Sequence, residues 1–471
     1  VIQPLSDVLF KGRTPHVVAI VPSYIASCQI NVIKPLASLA RAGHIKFKHM
    51  LEQTAGPSTI AWADVVVFCR NTEPGYRHLL NEALGRGRPV IYDIDDSFWD
   101  IPKSTDPDLA RYHLQPSRLR QLEVYIQYAS LVRVYSPLLK AKVSRFNQSA
   151  RIYRSSFDFA QVPELKPIPS GKKKIGIVYA TSRTVDDQYR VFLPALEDFL
   201  NRHHAGVEMT VWGCNPSELL TLPGVTAKRL VSKYDDFLRE FSRSGFQIGL
   251  APLQDNEFNR SKNNTKFRDY GACGIAGIYS NVDAYSSSIV DGEEGLLVRN
   301  TKEAWRDALE RLVFDSALQE KIRLNARKKV FNDYRQELIE SQWLEDIHRL
   351  VADVPSFWLA NAKHADTVEL DVTADYDGFC GIEVQEVELR QCDDSSNKIY
   401  LEVQSPTGKT LRGIASSIIN YDSGGAITFN FDKIRNSQAR AFKLRITGVS
   451  GPDRSRVHKD VKLLYAVESF A

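Results

Sequence analysis

Short, uninterrupted apolar runs alternate with helix-patterned stretches, and the alternation occurs twice along the chain. The first series comprises "HVVAIVP" (His16–Pro22), "DVVVFC" (Asp64–Cys69), "PVIYDI" (Pro89–Ile94) and Leu131–Tyr135. Helical patterns at Asn31–Ala42, Gly75–Leu84 and Leu119–Ala129 separate these runs. A strand that is apolar on both faces must be covered on both, which a parallel sheet with crossover helices achieves. The second series comprises "KIGIVY" (Lys174–Tyr179), Val207–Trp212, Phe246–Leu253, Ile275–Ser280 and Glu294–Val298. Its helical patterns lie at Tyr189–His203, Tyr234–Ser244, Asn264–Cys273, Thr301–Val313, Ser316–Tyr334 and Gln336–Val351. The fold class expected is therefore α/β, with two Rossmann-like doubly wound domains at 15–160 and 172–352. A short extension, 1–14, precedes them. The proline- and lysine-rich stretch Val162–Lys174 reads as the linker. Beyond residue 364 the period drops to two, in "TVELDVT", "IEVQEVELR", "KIYLEVQS", "AITFNFD" and "AFKLRITGV". That rhythm, broken by "PTGK", "DSGG" and "SGPD", predicts an antiparallel β-sandwich over 364–471.

The composition is that of a globular chain: 471 residues, 43% hydrophobic and 25% charged. A net charge of +4 is too small to indicate nucleic-acid binding, so any cationic site must be local. The six cysteines show no C-x-x-C spacing and read as free thiols of a reducing cytoplasm. No apolar run approaches the ~20 residues of a membrane span. The sequence opens at Val1 without a signal-peptide pattern, which leaves room for preceding residues and further domains.

Open parallel sheets bind ligands outside the carboxyl ends of their strands, so residues just after the apolar runs carry the functional argument. The loop "ATSRTVDD" (Ala180–Asp187) offers the hydroxyls of Thr181 and Ser182 and the guanidinium of Arg183 ahead of a helix. Such a helix start favours anions, and arginine clamps phosphate through two bonds. Neither G-x-G-x-x-G nor G-x-x-x-x-G-K-[ST] follows a strand, which weighs against dinucleotide and P-loop sites. The stretch "FNRSKNNTKFRDYGACG" places Arg260, Lys262, Lys266 and Arg268 within nine residues of one another. Lys262 and Lys266 are one helical turn apart, and Asp269 lies a further turn on. A cation pair for a diphosphate and a carboxylate for ribose hydroxyls suit a nucleotide; the alternative is a basic surface turn. In the first half, "VIYDIDDSFWDIP" brings Asp93, Asp95 and Asp96 to the end of a strand. These carboxylates can orient an acceptor hydroxyl or take its proton, bind a metal, or cap the following turn. Arg70 can reach the same cleft or pair with these aspartates. Trp99 can stack on a sugar or fill the core.

The stretch "IGLAPLQDNEFNRSKNNTKFRDYGACGIAGIYSNVDAYSSSIVDGEEGLLV" resembles the donor-site signature of GT-B glycosyltransferases, and most of all the retaining family 4. The order and spacing of its parts carry the likeness: a strand ending in "APL", a helix ending in "YGACG", a strand to "YS", then "DGEEGLLV". The resemblance spans about residues 15–350 and is mainly architectural in the first half. It implies a nucleotide-diphosphate sugar as donor, no cofactor and no metal, and retention of anomeric configuration. It places Asp269 where the family has a ribose-binding Glu, and Ser261 where the family has a Glu on the donor sugar. Arg183 and Lys262 become the diphosphate pair, with Lys266 beside them and Asn259 in the "FN..K…K" loop. The loop Ser280–Ser287, with Ser280, Asn281 and Tyr285, matches the one that closes on phosphates and sugar. The "FN..K…K" loop resembles that of cell-surface polysaccharide and O-antigen enzymes, some transferring rhamnose. A lipid-linked or polymeric glycan acceptor at the inner face of the cytoplasmic membrane follows from this. The C-terminal "FDKIRNSQARAFKLRITG" resembles jelly-roll modules attached to such enzymes and implies glycan binding or subunit docking. Two other classes fit the same residues: a non-catalytic carbohydrate- or nucleotide-binding scaffold, and a nucleotide-sugar epimerase of GT-B fold.

Overall fold

The computed structural model of the protein describes residues 14–103, 107–165, 174–183 and 187–352, and beyond them seven strands between 367 and 465. The first sheet holds β1 (His16–Val21), β2 (Lys46–Leu51), β3 (Val65–Cys69), β4 (Val90–Asp93), β5 (Leu131–Val134) and β6 (Ala150–Ile152), in the order β2-β1-β3-β4-β5-β6. The second holds β7 (Ile175–Ala180), β8 (Val207–Trp212), β9 (Val225–Lys228), β10 (Ile248–Ala251), β11 (Ala276–Ser280) and β12 (Leu296–Val298), in the order β12-β11-β10-β7-β8-β9. All pairings in both sheets are parallel. Helices cover both faces. On the first sheet, Val18, Ile20, Phe68 and Tyr92 face one core, and Val17, Ala19, Val67 and Ile91 face the other.

Three parallel strands were not expected from the sequence: β2, β6 and β9. β2 and β6 are the edges of the first sheet and β9 is an edge of the second. Their exposed positions carry lysine, arginine and threonine instead of a continuous apolar run. The helix expected at Asn31–Ala42 begins earlier. It runs as Ala26–Cys28, a π-wound turn Gln29–Ile33 closed by the Lys34 amide on the Gln29 carbonyl, and Lys34–Arg41. Such turns mark functional segments, and this one faces the space between the two sheets.

The last described helix, Gln336–Ala352, leaves the second sheet and packs on the first. Its Ile339, Trp343 and Ile347 join the core beneath β1, β3 and β4. The Trp343 indole N–H donates to the Asn31 carbonyl at 3.0 Å.

In the C-terminal part, β13 (Thr367–Thr373), β14 (Phe379–Val384), β15 (Lys398–Gln404), β16 (Thr410–Ser417), β17 (Ile427–Ile434), β18 (Ala441–Gly448) and β19 (Val461–Tyr465) form two antiparallel sheets. The orders are β13-β18-β15-β16 and β17-β14-β19. β16 and β19 were not expected, and the second half of the "IEVQEVELR" strand lies outside the described residues, as does 166–173 of the linker.

Trp343 is wholly buried where the returning helix meets the first sheet. Trp343→Ala is expected to cost about 3–5 kcal/mol of stability, whereas the exposed Phe314→Ala stays within about 0.5 kcal/mol. Urea denaturation of the two variants measures the difference.

Candidate functional site

In the first sheet the strand order reverses between β1 and β3, and in the second between β10 and β7. These switch points are where open α/β sheets receive ligands. A cavity of about 330 Å³ opens between the lobes at these points. The segments after β7 and β10 supply Thr181, Ser182, Arg183, Asn259, Lys262 and Lys266 to its wall. The first lobe supplies Ala26, Ser27, Ile30, Asn31, Asp95, Asp96 and Ser155.

The cationic side is built by local packing. β10 carries Gly249, where a Cβ would stand 2.5 Å from the Tyr270 ring, so only glycine lets the helix Thr265–Cys273 lie this close. Gly274, at φ 69°, then ends that helix in the left-handed conformation. At its start Asn264 makes no side-chain cap and instead donates to the Tyr334 hydroxyl at 2.6 Å. The first turn of this helix, whose Thr265 and Lys266 line the cavity, therefore carries no side-chain cap on its amides. The short helix Glu257–Arg260 is capped by Asn256, which accepts from the Asn259 amide at 2.9 Å. Asn259 in turn donates to the Gln254 carbonyl at 2.9 Å and to Gln188 Oε1 at 3.3 Å, which fixes the loop.

Lys262 crosses the cleft: its Nζ lies 3.1 Å from Asp96 Oδ1. Asp96 also meets Arg70 at 3.1 Å, and Arg70 pairs with Asp95. Burial lowers the Lys262 ammonium, Asp96 opposes that shift, and the like charge of Arg183 adds to it. Burial acts to raise the Asp96 carboxyl, but Lys262 and Arg70 together hold it below the usual carboxylate range. Arg70 has φ 63°, the one non-glycine residue with positive φ among the described residues. A bulky side chain holds that conformation only where its surroundings enforce it, and the paired aspartates do so.

Several expected residues stand elsewhere. Asp93 is wholly buried and does not line the cavity; it accepts from the Tyr135 hydroxyl at 2.5 Å and lies 3.8 Å from Arg133. Burial raises its carboxyl to about 7 against the pull of Arg133 and Tyr135. Asp269 is buried one turn inside its helix, held by Tyr234 at 2.7 Å and Arg268 at 2.8 Å, and is not on the cavity wall. Ser261 is buried too, its carbonyl accepting from Ser136 Oγ at 2.6 Å across the lobes. Ser280 Oγ accepts from the Leu253 amide at 2.9 Å, a turn-holding bond, and Asn281 points to solvent. Tyr285 does line the cavity. Trp99 stacks on Phe146 at 5.8 Å and donates to Glu123 at 3.1 Å, and it is not on the cavity wall. The residues read as a D-x-D-D metal motif face cations: among the described residues no three His, Cys, Asp or Glu side chains are grouped to hold a metal ion.

Asn31, Gln188 and Asn263 line the cavity without having been expected there, and of the four clustered cations Lys262, Lys266 and Arg268 reach it. Asn31 Nδ2 is buried and finds no partner among the described residues. The signal for Asn263 was available: it sits just before a helix start in "KNNTK". Asn31 lies in the π-turn Gln29–Ile33, for which the sequence reading had no signal.

No family model matches the sequence, and no curated protein matches it. Solved structures do match the backbone. HepE from Anabaena, in complex with UDP and glucose, is 12% identical over 71% of this chain and 99% of its own, with a TM-score of 0.53. Sucrose-phosphate synthase from Thermosynechococcus elongatus is 14% identical over 72% and 100%, with a TM-score of 0.53. A glycosyltransferase from Rickettsia africae is 14% identical over 72% and 99%, with a TM-score of 0.52. The shared architecture is GT-B. At these identities the likeness is one of fold.

The raised Asp93 carboxyl has a measurable consequence. The folded protein keeps that proton to about pH 7, whereas the unfolded chain releases it near 3.8. Between these values the folded state binds more protons, so this contribution is complete at low pH and is lost as pH rises through 7. Chemical denaturation from pH 5 to 8 is expected to show a fall in stability for the wild type that Asp93→Asn lessens.

Proposed function

We propose that the protein is a glycosyltransferase that moves a sugar from a nucleotide-diphosphate sugar to a glycan acceptor. The observation that carries this reading is the cavity at the β7/β10 switch point. There Lys262, Lys266, Arg183 and an uncapped helix start face the carboxylates Asp95 and Asp96 of the other lobe. A diphosphate suits the first group and an acceptor hydroxyl the second. HepE, of the same fold, has been solved with UDP-glucose, which supports a nucleotide sugar as donor.

The chemistry follows from where charge grows. As the glycosidic bond breaks, the leaving diphosphate gains negative charge, and fixed cations and amide dipoles stabilise it without reorganising. Lys262 is held by Asp96 in the structure, and the diphosphate takes over that ammonium. Asp96 and Asp95, still tied to Arg70, then orient the acceptor hydroxyl toward the anomeric carbon, at about 3–3.5 Å for reaction. Cations here do the work that a metal performs elsewhere, so the reaction is metal-independent. The resemblance to family 4 supports retention of configuration, a surface-polysaccharide acceptor and a hexose or deoxyhexose such as rhamnose as the transferred sugar. The first lobe takes the acceptor. The two C-terminal sheets form a jelly-roll-like sandwich that holds longer glycans. No helix among the described residues is long and apolar enough to cross a membrane, and a lipid-linked acceptor is met peripherally at the cytoplasmic face.

A thermal-shift screen with UDP, GDP, dTDP and CMP is expected to show stabilisation by at least one of the nucleotides; a flat response to all of them contradicts the reading. With the donor found, Lys262→Ala is expected to lower turnover by roughly 10²–10³-fold, with a smaller change in donor affinity. Unchanged turnover removes Lys262 from the mechanism. Product formed in the absence of any acceptor glycan, with the nucleotide still attached, identifies an epimerase instead.

A further inference from the structure

The loop that carries Lys262 belongs to the second lobe, but its apolar anchor lies in the first. Phe258, in the short helix Glu257–Arg260, is 3% exposed and sits in a core whose other buried members lie between Val18 and Ala150. The helix packs there on the turn Phe98–Asp100. Polar contacts flank the insertion. Glu257 accepts from Lys142 Nζ at 2.9 Å, the Ser261 carbonyl accepts from Ser136 Oγ at 2.6 Å, and Lys262 reaches Asp96 at 3.1 Å. Glu257, Phe258, Ser261 and Lys262 thus all touch the first lobe. A loop fastened this way brings its lysine to one place on the cleft wall.

The ring does more than fill space. Lys262 Nζ lies 4.0 Å from the centre of the Phe258 ring, within the range at which an aromatic face attracts a cation. Lys262 lines the cavity and Phe258 does not, so the ring meets the ammonium from outside the ligand space. Burial works against the Lys262 charge, and Asp96 opposes that shift. A diphosphate that takes over the ammonium displaces Asp96, whereas the ring keeps its contact in either state. Arg70, the other partner of Asp96, lies 4.7 Å from the ring of Phe98 in the same core. Both cations at Asp96 therefore rest on aromatic faces of one apolar layer. An apolar plug of any shape would anchor the loop, but only a ring face also attracts a cation. Lysine is otherwise a point charge on a flexible stem, and a cation stabilises a leaving group best when it is already in place.

We propose that Phe258 is a positioning residue: its ring, seated in the first lobe, holds the Lys262 ammonium at the cleft wall where the donor's diphosphate meets it. This rests on the reading that Lys262 binds that diphosphate. The donor loop is then competent only when the first lobe has received its phenylalanine, which joins the two halves of the site through one side chain.

Competitive amine labelling of the full chain with acetic anhydride, read for each lysine by mass spectrometry, tests this without any ligand. The wild type is compared with Phe258→Leu and Phe258→Met, which refill the plug without a ring. Without the ring the amine is less firmly held and more often unprotonated. Lys262 is therefore expected to label roughly twofold to thirtyfold faster in both variants. Lys228, on β9 beside Trp212, is expected to label at its wild-type rate. Lys262 labelling equal to the wild type overturns the assignment, and so does a rise shared by Lys228, which reads as general loss of structure. UDP titration then asks whether Phe258 acts through Lys262. Phe258→Leu is expected to weaken UDP binding about twofold to tenfold in the otherwise wild-type chain, and by less than about twofold in the Lys262→Ala background. Equal losses in both backgrounds make Phe258 a purely structural residue and overturn the proposal. Failure of UDP to bind the wild type counts against the nucleotide reading alone, since Lys262 labelling still decides the role of Phe258.

Discussion

A guanidinium buried in the first lobe ties the architecture together. Arg133, on β5, is only 1% exposed. Removing such a charge from water costs several kcal/mol unless it is paired well. Its partner comes from far along the chain: Asp346, on the returning helix Gln336–Ala352, accepts at 2.5 Å and also takes the Tyr153 hydroxyl at 2.6 Å. The rings of Tyr153 and Trp343 lie 3.4 and 3.9 Å from the guanidinium. The first lobe is thus electrostatically complete only when the chain has built the second lobe and come back. That requirement sets how the two sheets face each other, and with it the cleft.

The cleft inherits a division of charge from this arrangement. The second-lobe wall presents Lys262, Lys266 and Arg183, and the opposite wall presents Asp95 and Asp96, both paired with Arg70, with Lys262 and Arg70 holding the Asp96 carboxyl below the usual carboxylate range. Asp93, two residues before Asp95, belongs to another environment. It sits below the cleft with Tyr135, Cys69 and Arg133, where burial favours its neutral form. Three carboxylates within four residues thus separate into one that supports the lobe and two that face the ligand space. Strand alternation and depth account for the difference.

The sequence revealed the fold wherever burial was two-sided. Most inner strands of the two sheets and β12, an apolar edge, are apolar runs, with Arg133 in β5 and Glu208 and Thr210 in β8 as interruptions, while β2, β6 and β9 disappear into polar segments because an edge strand has fewer positions to bury. The stretch "VPELKPIPSGKKK" (Val162–Lys174) reads as an interlobe linker from its prolines and lysines, and 166–173 of it lie outside the described residues. At the cleft, residues immediately after strands were readable from topology: Thr181, Arg183, Asp95 and Asp96 all line the cavity, and so does Lys262 in the longer loop beyond β10. Residues within helices divided: Asn259, Lys266 and Tyr285 reach the cavity wall, and Asp269 does not. Asp269 was placed by analogy of position, but its helical phase turns it toward Tyr234 and Arg268. Ser261 follows a short capped helix and is drawn under the loop by its carbonyl bond to Ser136. Helical phase and cross-lobe bonds depend on tertiary packing, which a linear reading does not contain.

The chain passes between the lobes at two places, and the two passages are bonded to each other. The Phe157 amide donates to the Tyr334 carbonyl at 2.7 Å, and the Gln336 amide donates back to the Phe157 carbonyl at 3.0 Å. Outgoing and returning strands are therefore laced at a single point. The same seam is reinforced nearby, where Arg268 donates to the Ser156 carbonyl at 3.2 Å and Asn263 to Ser155 Oγ at 2.8 Å. The crossing is thereby continuous with the cavity wall, since Ser155, Asn263 and Arg268 all line it.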